Sequence, residues 1–332
     1  MIVKTISIMK KIFILALAAT ALFAFASCQK TDVTDGTANV TINVGHFATK
    51  AIADGKTATK LIYEVYHVGD NAGTPQYTLV TEGTTDLVEL QTKLDFTLMR
   101  DNKYVALFWA QSPTAPYNTD DLRTVKMNYA GDPTIPNGNN ESRDAFYGMV
   151  EFTVSNDDTA NEGLTCELVR PFAQINIVAT DYEERENANI TELKLTSSTV
   201  TLSKLSTTFN VLTGKADPAG TDPGNYKFDF EAADVIAEEF DSIDPKKTWI
   251  SMNYILLPDG ATSVNVEATF NVTAKYAAGT EINHVIEFPA TAVDAATNYR
   301  TNIVGEIFTE GGNVAITVNP DFLNPDKGTL ID

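Results

Sequence analysis

Apolar and polar residues alternate with a period of two along much of this chain, and this pattern limits the fold more than any other feature. In NVTINV at 39–44, Val40, Ile42 and Val44 alternate with polar neighbours, as on a strand with one buried face. The run YVALFWA at 104–110 is apolar throughout and predicts a central strand buried on both faces. Turn-forming Gly, Pro, Asn and Asp fill the intervening segments. The pattern predicts an all-β fold of sandwich type.

Further strand candidates follow the same pattern and divide into two halves near residue 165. They lie at 90–98, 146–154, 166–179, 193–195, 200–202, 209–212, 253–258, 263–276, 284–290 and 313–318. Pro171 indicates an edge or a bulge within its segment, because proline cannot donate to a ladder. Two segments, 232–241 and 294–300, have the composition of short helices.

The N-terminal segment has the pattern of an export signal. Lys10 and Lys11 precede an uncharged apolar run at 12–25, and the small residues Ala26 and Ser27 follow that run. This run is shorter than the roughly twenty residues that a transmembrane helix requires. We therefore expect a cleaved signal peptide spanning 1–27 and a protein that functions outside the cytoplasm.

Cys28 follows these small residues directly, and the stretch at 25–28 is typical of a bacterial lipobox. Lipidation at Cys28 would anchor the exported protein to a membrane, since several acyl chains together bind a bilayer stably. The alternative is an ordinary signal-peptidase site with an incidental cysteine. Met9 is a better start for this signal than Met1, because the two lysines follow it at once.

Charge and motifs exclude several classes of function. The formal net charge of -20 disfavours nucleic acid as a partner. No nucleotide-binding loop, metal-binding motif or nucleophile elbow occurs in the sequence. We expect no enzyme activity, no cofactor and no metal site. Cys166 is expected to be a small core residue on a strand, and Trp109 and Trp249 are expected in the core.

The order of several segments resembles the fimbrillin-like lipoproteins of Bacteroidales, which are subunits or relatives of type V pili. The segments are Cys28, NVTINV, ATKA at 48–51, YVALFWA, DAFYG at 144–148, LVRPFAQINI at 168–177, TFNVLTG at 208–214, NYILLP at 253–258, and YRTNIVGEIF at 299–308 followed by VAITVNPDF. The resemblance implies two transthyretin-like β-sandwich domains in tandem behind a lipoprotein signal peptide. It divides the chain into 1–27, the signal; 28–50, a lipidated pro-segment; 51–165, an N-terminal sandwich completed by 39–47; and 166–332, a C-terminal sandwich.

The resemblance also implies an assembly mechanism at the outer membrane and cell surface. A trypsin-like surface protease would remove the first strand, 39–47, and a strand from another pilin subunit would fill the groove. The plugs of the removable strand would be Val40, Ile42 and Val44. The donor candidate is 313–318, where the same spacing recurs in Val314, Ile316 and Val318.

The cleavage site departs from the family pattern, in which an arginine is usual. The first arginine here is Arg100, and Lys50 holds the family position, with Lys56 and Lys60 as alternatives. An arginine-specific protease would leave the chain uncut, as an anchor or a stand-alone lipoprotein.

Two weaker signals depend on the same resemblance. Thr159 and Ser242 each follow an aspartate and precede an apolar residue, which is the pattern of O-glycosylation in these bacteria. The alternative function is a non-polymerising outer-membrane lipoprotein that binds a host ligand or glycan. Its loops would expose Tyr117, Tyr129 and Trp249.

Overall fold

The structure is a computed structural model that describes residues 36–45, 55–129, 137–182, 189–220, 224–229 and 248–308, together with the backbone of 313–319. Within these residues it is almost entirely β, as predicted. It also contains three short 3-10 turns. The strands are β1 Thr37–Gly45, β2 Lys60–Asn71, β3 Thr74–Asp86, β4 Gln91–Met99, β5 Lys103–Gln111, β6 Val125–Lys126, β7 Ala145–Thr153, β8 Leu164–Glu167, β9 Ala173–Ala179, β10 Ile190–Ser203, β11 Thr208–Asn210, β12 Lys215–Ala216, β13 Gly224–Asp229, β14 Thr248–Ile255, β15 Ser263–Tyr276, β16 Glu281–Asp294, β17 Arg300–Glu306 and β18 Asn313–Asn319.

The first sandwich encloses a core between a three-stranded sheet, β4-β1-β8, and a four-stranded sheet, β3-β2-β5-β7. Side chains of β1, β4 and β8 pack against one face of β5, where Ala106 and Phe108 are fully buried. This arrangement follows from period-two alternation, which places every second side chain on the same face.

The second sandwich pairs the sheet β14-β9-β17-β18 with the sheet β13-β10-β15-β16. Its core contains Ile175 and Ile177 of β9, Ile303 of β17 and the alternate residues of β15. The small sheet β12-β11-β6 lies beside a third apolar cluster, which contains Phe209 and Val125.

The third cluster joins the outer faces of the two sandwiches and explains why YVALFWA is apolar throughout. Val105, Leu107 and Trp109 point away from the first core and pack with Trp249 and Phe172. Both tryptophans are fully buried, so the predicted core positions are confirmed. The described residues from Thr37 onward form one compact unit, and the predicted division at 165/166 stays a prediction.

Two local predictions were wrong. The segments 193–195 and 200–202 belong to one strand, β10, whose register shifts between Leu195 and Ser197. The bulge moves the buried side chains from odd to even positions, and this change of phase imitates a strand break. The predicted helix at 294–300 is a turn between β16 and β17, in which Asn298 has a φ of 62° and donates its N–H to the carbonyl oxygen of Phe172. The other helix candidate, 232–241, lies outside the described residues.

Candidate functional site: the first strand and its groove

The first strand, β1, is the central strand of its sheet. It runs antiparallel to β4 and parallel to β8, with Ile42 opposite Leu94 on one side and Leu164 on the other. Both backbone edges of β1 are therefore paired. Its loss would separate β4 from β8 and leave an open groove in the first sandwich.

The inner face of β1 fills this groove with small and aliphatic side chains. The exposed fractions of Ala38, Val40, Ile42 and Val44 are 5%, 0%, 0% and 2%. Full burial of a valine or isoleucine side chain contributes about 1.5–3 kcal/mol. Burial of the three predicted plug residues thus supplies much of the free energy that holds β1 in the sandwich.

The outer face of β1 is held by weaker polar contacts. Asn39 and Asn43 are exposed. The hydroxyl of Thr41 donates to Oδ1 of Asp95 at 2.6 Å, and the hydroxyl of Thr97 donates to Oδ1 of Asn39 at 3.1 Å. Hydrogen bonds at exposed positions add little net stability, because water competes for the same groups. Apolar burial on the inner face is therefore the main attachment.

Both ends of β1 are fixed by contacts distant in sequence. Arg100 donates from Nε to the carbonyl oxygen of Thr37 at 2.9 Å. At the other end, the N–H of Leu168 donates to the carbonyl oxygen of Gly45 at 2.8 Å. The sequence pattern assigns no role to Arg100, and its one signal is an arginine in the turn between two strand candidates.

Cys166 faces the same core from β8, opposite Val44 in the register. It is buried, as predicted, and burial raises the pKa of its thiol to about 12. A thiol with so high a pKa is a poor nucleophile. Gly148 on β7 lies close to Cys166. A Cβ added to Gly148 would stand 2.6 Å from Sγ of Cys166, so β7 and β8 are tightly packed.

The candidate donor strand, β18, pairs antiparallel with β17 at the edge of the second sandwich. Ile316 lies opposite Ile303, Val314 opposite Gly305 and Val318 opposite Thr301. An edge strand is bonded on one side only, whereas β1 is bonded on both.

A family model covers nearly the whole chain: residues 30–331 match the model described as a family of unknown function, DUF6562. The chain belongs to DUF6562. A search of curated proteins found no match to this DUF6562 protein.

Solved structures similar to this DUF6562 protein include proteins of Bacteroides and Parabacteroides. A provisionally described cell adhesion protein of Bacteroides eggerthii is 12% identical, with a TM-score of 0.46, over 85% of this chain and 95% of its own. A provisionally described polysaccharide-binding protein of Bacteroides thetaiotaomicron is 12% identical, with a TM-score of 0.43, over 85% and 96%. A fimbrial assembly protein of Parabacteroides distasonis is 14% identical, with a TM-score of 0.34, over 85% and 95%.

Some of the remaining predicted sites lie within the described residues of this DUF6562 protein. Cys28, Lys50 and Ser242 lie outside the described residues. Lys56 is exposed in the turn before β2, whereas Lys60 is the first residue of β2 and pairs with neighbours on both sides. A protease needs an accessible extended backbone, so Lys60 is a less accessible cleavage site than Lys56.

Thr159, the first candidate for O-glycosylation, lies in the 3-10 turn Asp158–Asn161 and is exposed. Its hydroxyl donates to Oδ1 of Asp157 at 2.7 Å. The carboxylate of Asp158 accepts from Nη2 of Arg100 at 2.6 Å, so this turn is tied to the start of β1.

The exposed aromatic surface expected for a ligand-binding lipoprotein is not formed by the residues named for it. Trp249 is fully buried. Tyr117 and Tyr129 are half-buried, and their hydroxyls donate to the carbonyl oxygens of Arg143 and Ser206. The reason is packing: Trp249 and Tyr117 lie at the apolar cluster between the two sandwiches, and Tyr129 packs against the core of the second sandwich. Within the residues that the structure describes, no helix has the length and apolar character required to cross a bilayer.

Proposed function

We propose that this chain is a non-enzymatic, adhesion-related protein of the cell surface that serves as a pilin-type subunit or anchor. The observation that carries the proposal is the position of β1. It is the first described strand, it fills a groove between β4 and β8, and it holds that groove mainly through alternate apolar side chains.

Replacement of β1 by another strand is physically reasonable because the groove has both requirements for strand addition. Backbone groups on β4 and β8 would be left unpaired, and alternate pockets would specify the register of the incoming strand. The sequence V-x-I-x-V occurs at 40–44 and again at 314–318. Val314, Ile316 and Val318 would therefore place the same side chains in the pockets of Val40, Ile42 and Val44.

The assembled product would be a filament. The surface that donates and the groove that accepts lie in different parts of the chain, so the contact would be head-to-tail, and it gives a filament when the rotation between subunits does not close a ring. Lipidation at Cys28 would deliver the precursor to the outer membrane, and cleavage after Lys50 or Lys56 by a trypsin-like surface protease would free β1. An uncut chain would keep its own strand and act as an anchor.

The test uses the exported chain, residues 28–332, with Cys28→Ser to prevent lipidation. Limited trypsin treatment is followed by mass spectrometry of the new N-terminus, and by size-exclusion chromatography and electron microscopy of the product. We expect an N-terminus at Ala51 or Thr57 and growth of filaments. A cut chain that stays monomeric at high concentration would overturn the proposed assembly.

Two variants locate the donor. Ile316→Asp would bring a charge into an apolar pocket and should stop filament growth. Thr317→Asp is the matched control, because residue 317 alternates with the plug positions and should face away from the groove. If both variants polymerise normally, the donor is another segment.

A further inference from the structure

A polar cleft lies beside the contact between the two sandwiches and takes no part in holding β1. It has a volume of about 630 Å³ and is bounded by the loop 113–120 and the segment 126–128, with Asn140 and Arg143 in its wall. None of these residues belongs to β1, β4 or β8. A cavity of this size can hold a small ligand of one or two sugar rings.

The guanidinium of Arg143 is the unusual feature of this cleft. Arg143 is only 2% exposed, and its Nη2 donates to the carbonyl oxygen of Asn128 at 3.0 Å. Its Nε has no hydrogen-bond partner, and no carboxylate pairs with it among the residues that the structure describes. The ring of Tyr226, 5.4 Å from Cζ, supplies a weak cation–π contact. A buried charge normally has an ionic partner, because desolvation is costly.

Three other arginines, Arg100, Arg123 and Arg170, have such partners. Arg170 forms two hydrogen bonds of 2.6 Å with the carboxylate of Asp144, and both side chains are buried. Asp144 is the neighbour of Arg143 in sequence, so the nearest carboxylate along the chain is already bound by another guanidinium. Arg143 is therefore left with capacity to bind an anion at the cleft wall.

The rest of the lining favours a hydroxyl-rich anionic ligand. Lys126 is exposed at the cleft and forms no ion pair with a described residue, and the carboxylate of Asp120 accepts from Nδ2 of Asn118 at 2.9 Å. The lining thus contains two cations and one carboxylate, on a chain whose net charge is -20. The lining also contains hydroxyl, amide and apolar side chains, among them Thr114, Thr119, Asn128, Asn140, Pro113, Pro116 and Met127.

We propose that this cleft binds a sugar that carries a carboxylate. The carboxylate would lie against Arg143 and Lys126, the ring hydroxyls would meet the amide and hydroxyl side chains, and the apolar face of the ring would meet the prolines. Neither β1 nor the donor strand is needed for this binding, so sugar binding can be tested independently of filament assembly.

The test is calorimetric titration of the exported Cys28→Ser chain, uncut, with sodium glucuronate and with glucose, which lacks the carboxylate. A parallel titration with N-acetylneuraminate distinguishes a uronic from a sialic acid as the source. We expect one of the two acids to bind at least about tenfold more tightly than glucose and to bind less tightly as salt rises. Equal binding of acid and glucose, no binding of either acid, or full competition by inorganic sulfate would overturn the proposal.

Lys126→Gln should weaken acid binding by at least about fivefold, since it removes one charge-assisted contact at an exposed position. Lys204→Gln, at an exposed site outside the cleft, is the matched control and should leave binding unchanged. Arg143→Gln should abolish binding, and circular dichroism would establish that the variant is folded. Unchanged affinity in Lys126→Gln, or in a folded Arg143→Gln variant, would contradict the assignment of these residues.

Discussion

The guanidinium of Arg100 and the backbone of Thr37 form the contact that fixes the start of β1, with 2.9 Å between Nε and the carbonyl oxygen. The same side chain donates from Nη1 to the carbonyl oxygens of Ser155 and Asn156, each at 3.0 Å, and from Nη2 to Asp158. Arg100 thus connects the removable strand to the segment between β7 and β8. Partial burial of the guanidinium strengthens these bonds relative to an exposed pair.

Arg100→Gln should destabilise the protein and loosen the start of β1. We expect the free energy of unfolding to fall by about 1–3 kcal/mol, because several carbonyl groups lose a charged donor. Urea unfolding measures this change, and amide hydrogen exchange of 37–45 should accelerate. Lys103→Gln removes an exposed ion pair with Glu151 and should leave the free energy of unfolding nearly unchanged. Equal losses in the two variants would contradict the role assigned to Arg100.

Ile42→Ala should weaken the hold of β1 on its groove. The side chain is fully buried, so its truncation should lower the free energy of unfolding by about 2–4 kcal/mol. Asn43→Ala on the exposed face of the same strand is the control, with an expected change within about 0.5 kcal/mol. Equilibrium unfolding in urea compares them. A loss below about 1 kcal/mol for Ile42→Ala would mean that β1 is not held mainly by its buried side chains.

Cys166 should report the departure of β1. In the exported Cys28→Ser chain it is the remaining cysteine, and its buried thiol, with a pKa of about 12, should react slowly with iodoacetamide at pH 8. Removal of β1 uncovers the side of Cys166 that faces Val44, so alkylation should accelerate by at least about tenfold. Addition of a peptide spanning 313–319 should slow it again. An unchanged rate in the cut chain would show that β1 remains in place after cleavage.

Glu141 should make stability depend on pH. Burial, followed by the nearby carboxylate of Asp144, raises the pKa of Glu141 from its ordinary value of 4.5 to about 7. The folded state therefore retains a proton that the unfolded state releases, and stability should fall as pH rises from 4.5 to 7. Glu141→Gln keeps an acceptor for the hydroxyl of Tyr254 and cannot ionise, so it should reduce this fall.

Thermal unfolding between pH 4 and 8 would compare Glu141→Gln with the parent chain and with Glu162→Gln, a change at an exposed site. We expect a flatter profile for the first variant and the parent profile for the second. Identical profiles for all three chains would show that Glu141 does not titrate across this range.

Strands that alternate with one buried face, and the wholly apolar strand β5, could be predicted from the sequence, whereas strands with neither pattern could not. β1, β4, β7 and β15 lie where alternation indicated them. The hairpin of β2 and β3 was missed. β2 buries side chains on both faces, and β3 is mostly exposed on both, so neither shows alternation. Lys126 and Arg143 of the cleft carry no sequence pattern, because the loops that bring them together are separate along the chain.

The sequence by itself determined the all-β class, the positions of many strands and the repeated V-x-I-x-V pattern, because these depend on local alternation. Tertiary structure alone decided that β1 lies between β4 and β8, and that Arg143 is buried with no carboxylate partner among the described residues. Each of these depends on which surfaces pack together over long separations in sequence. Neighbouring residues cannot encode such contacts individually, since burial and charge pairing arise only when distant strands meet.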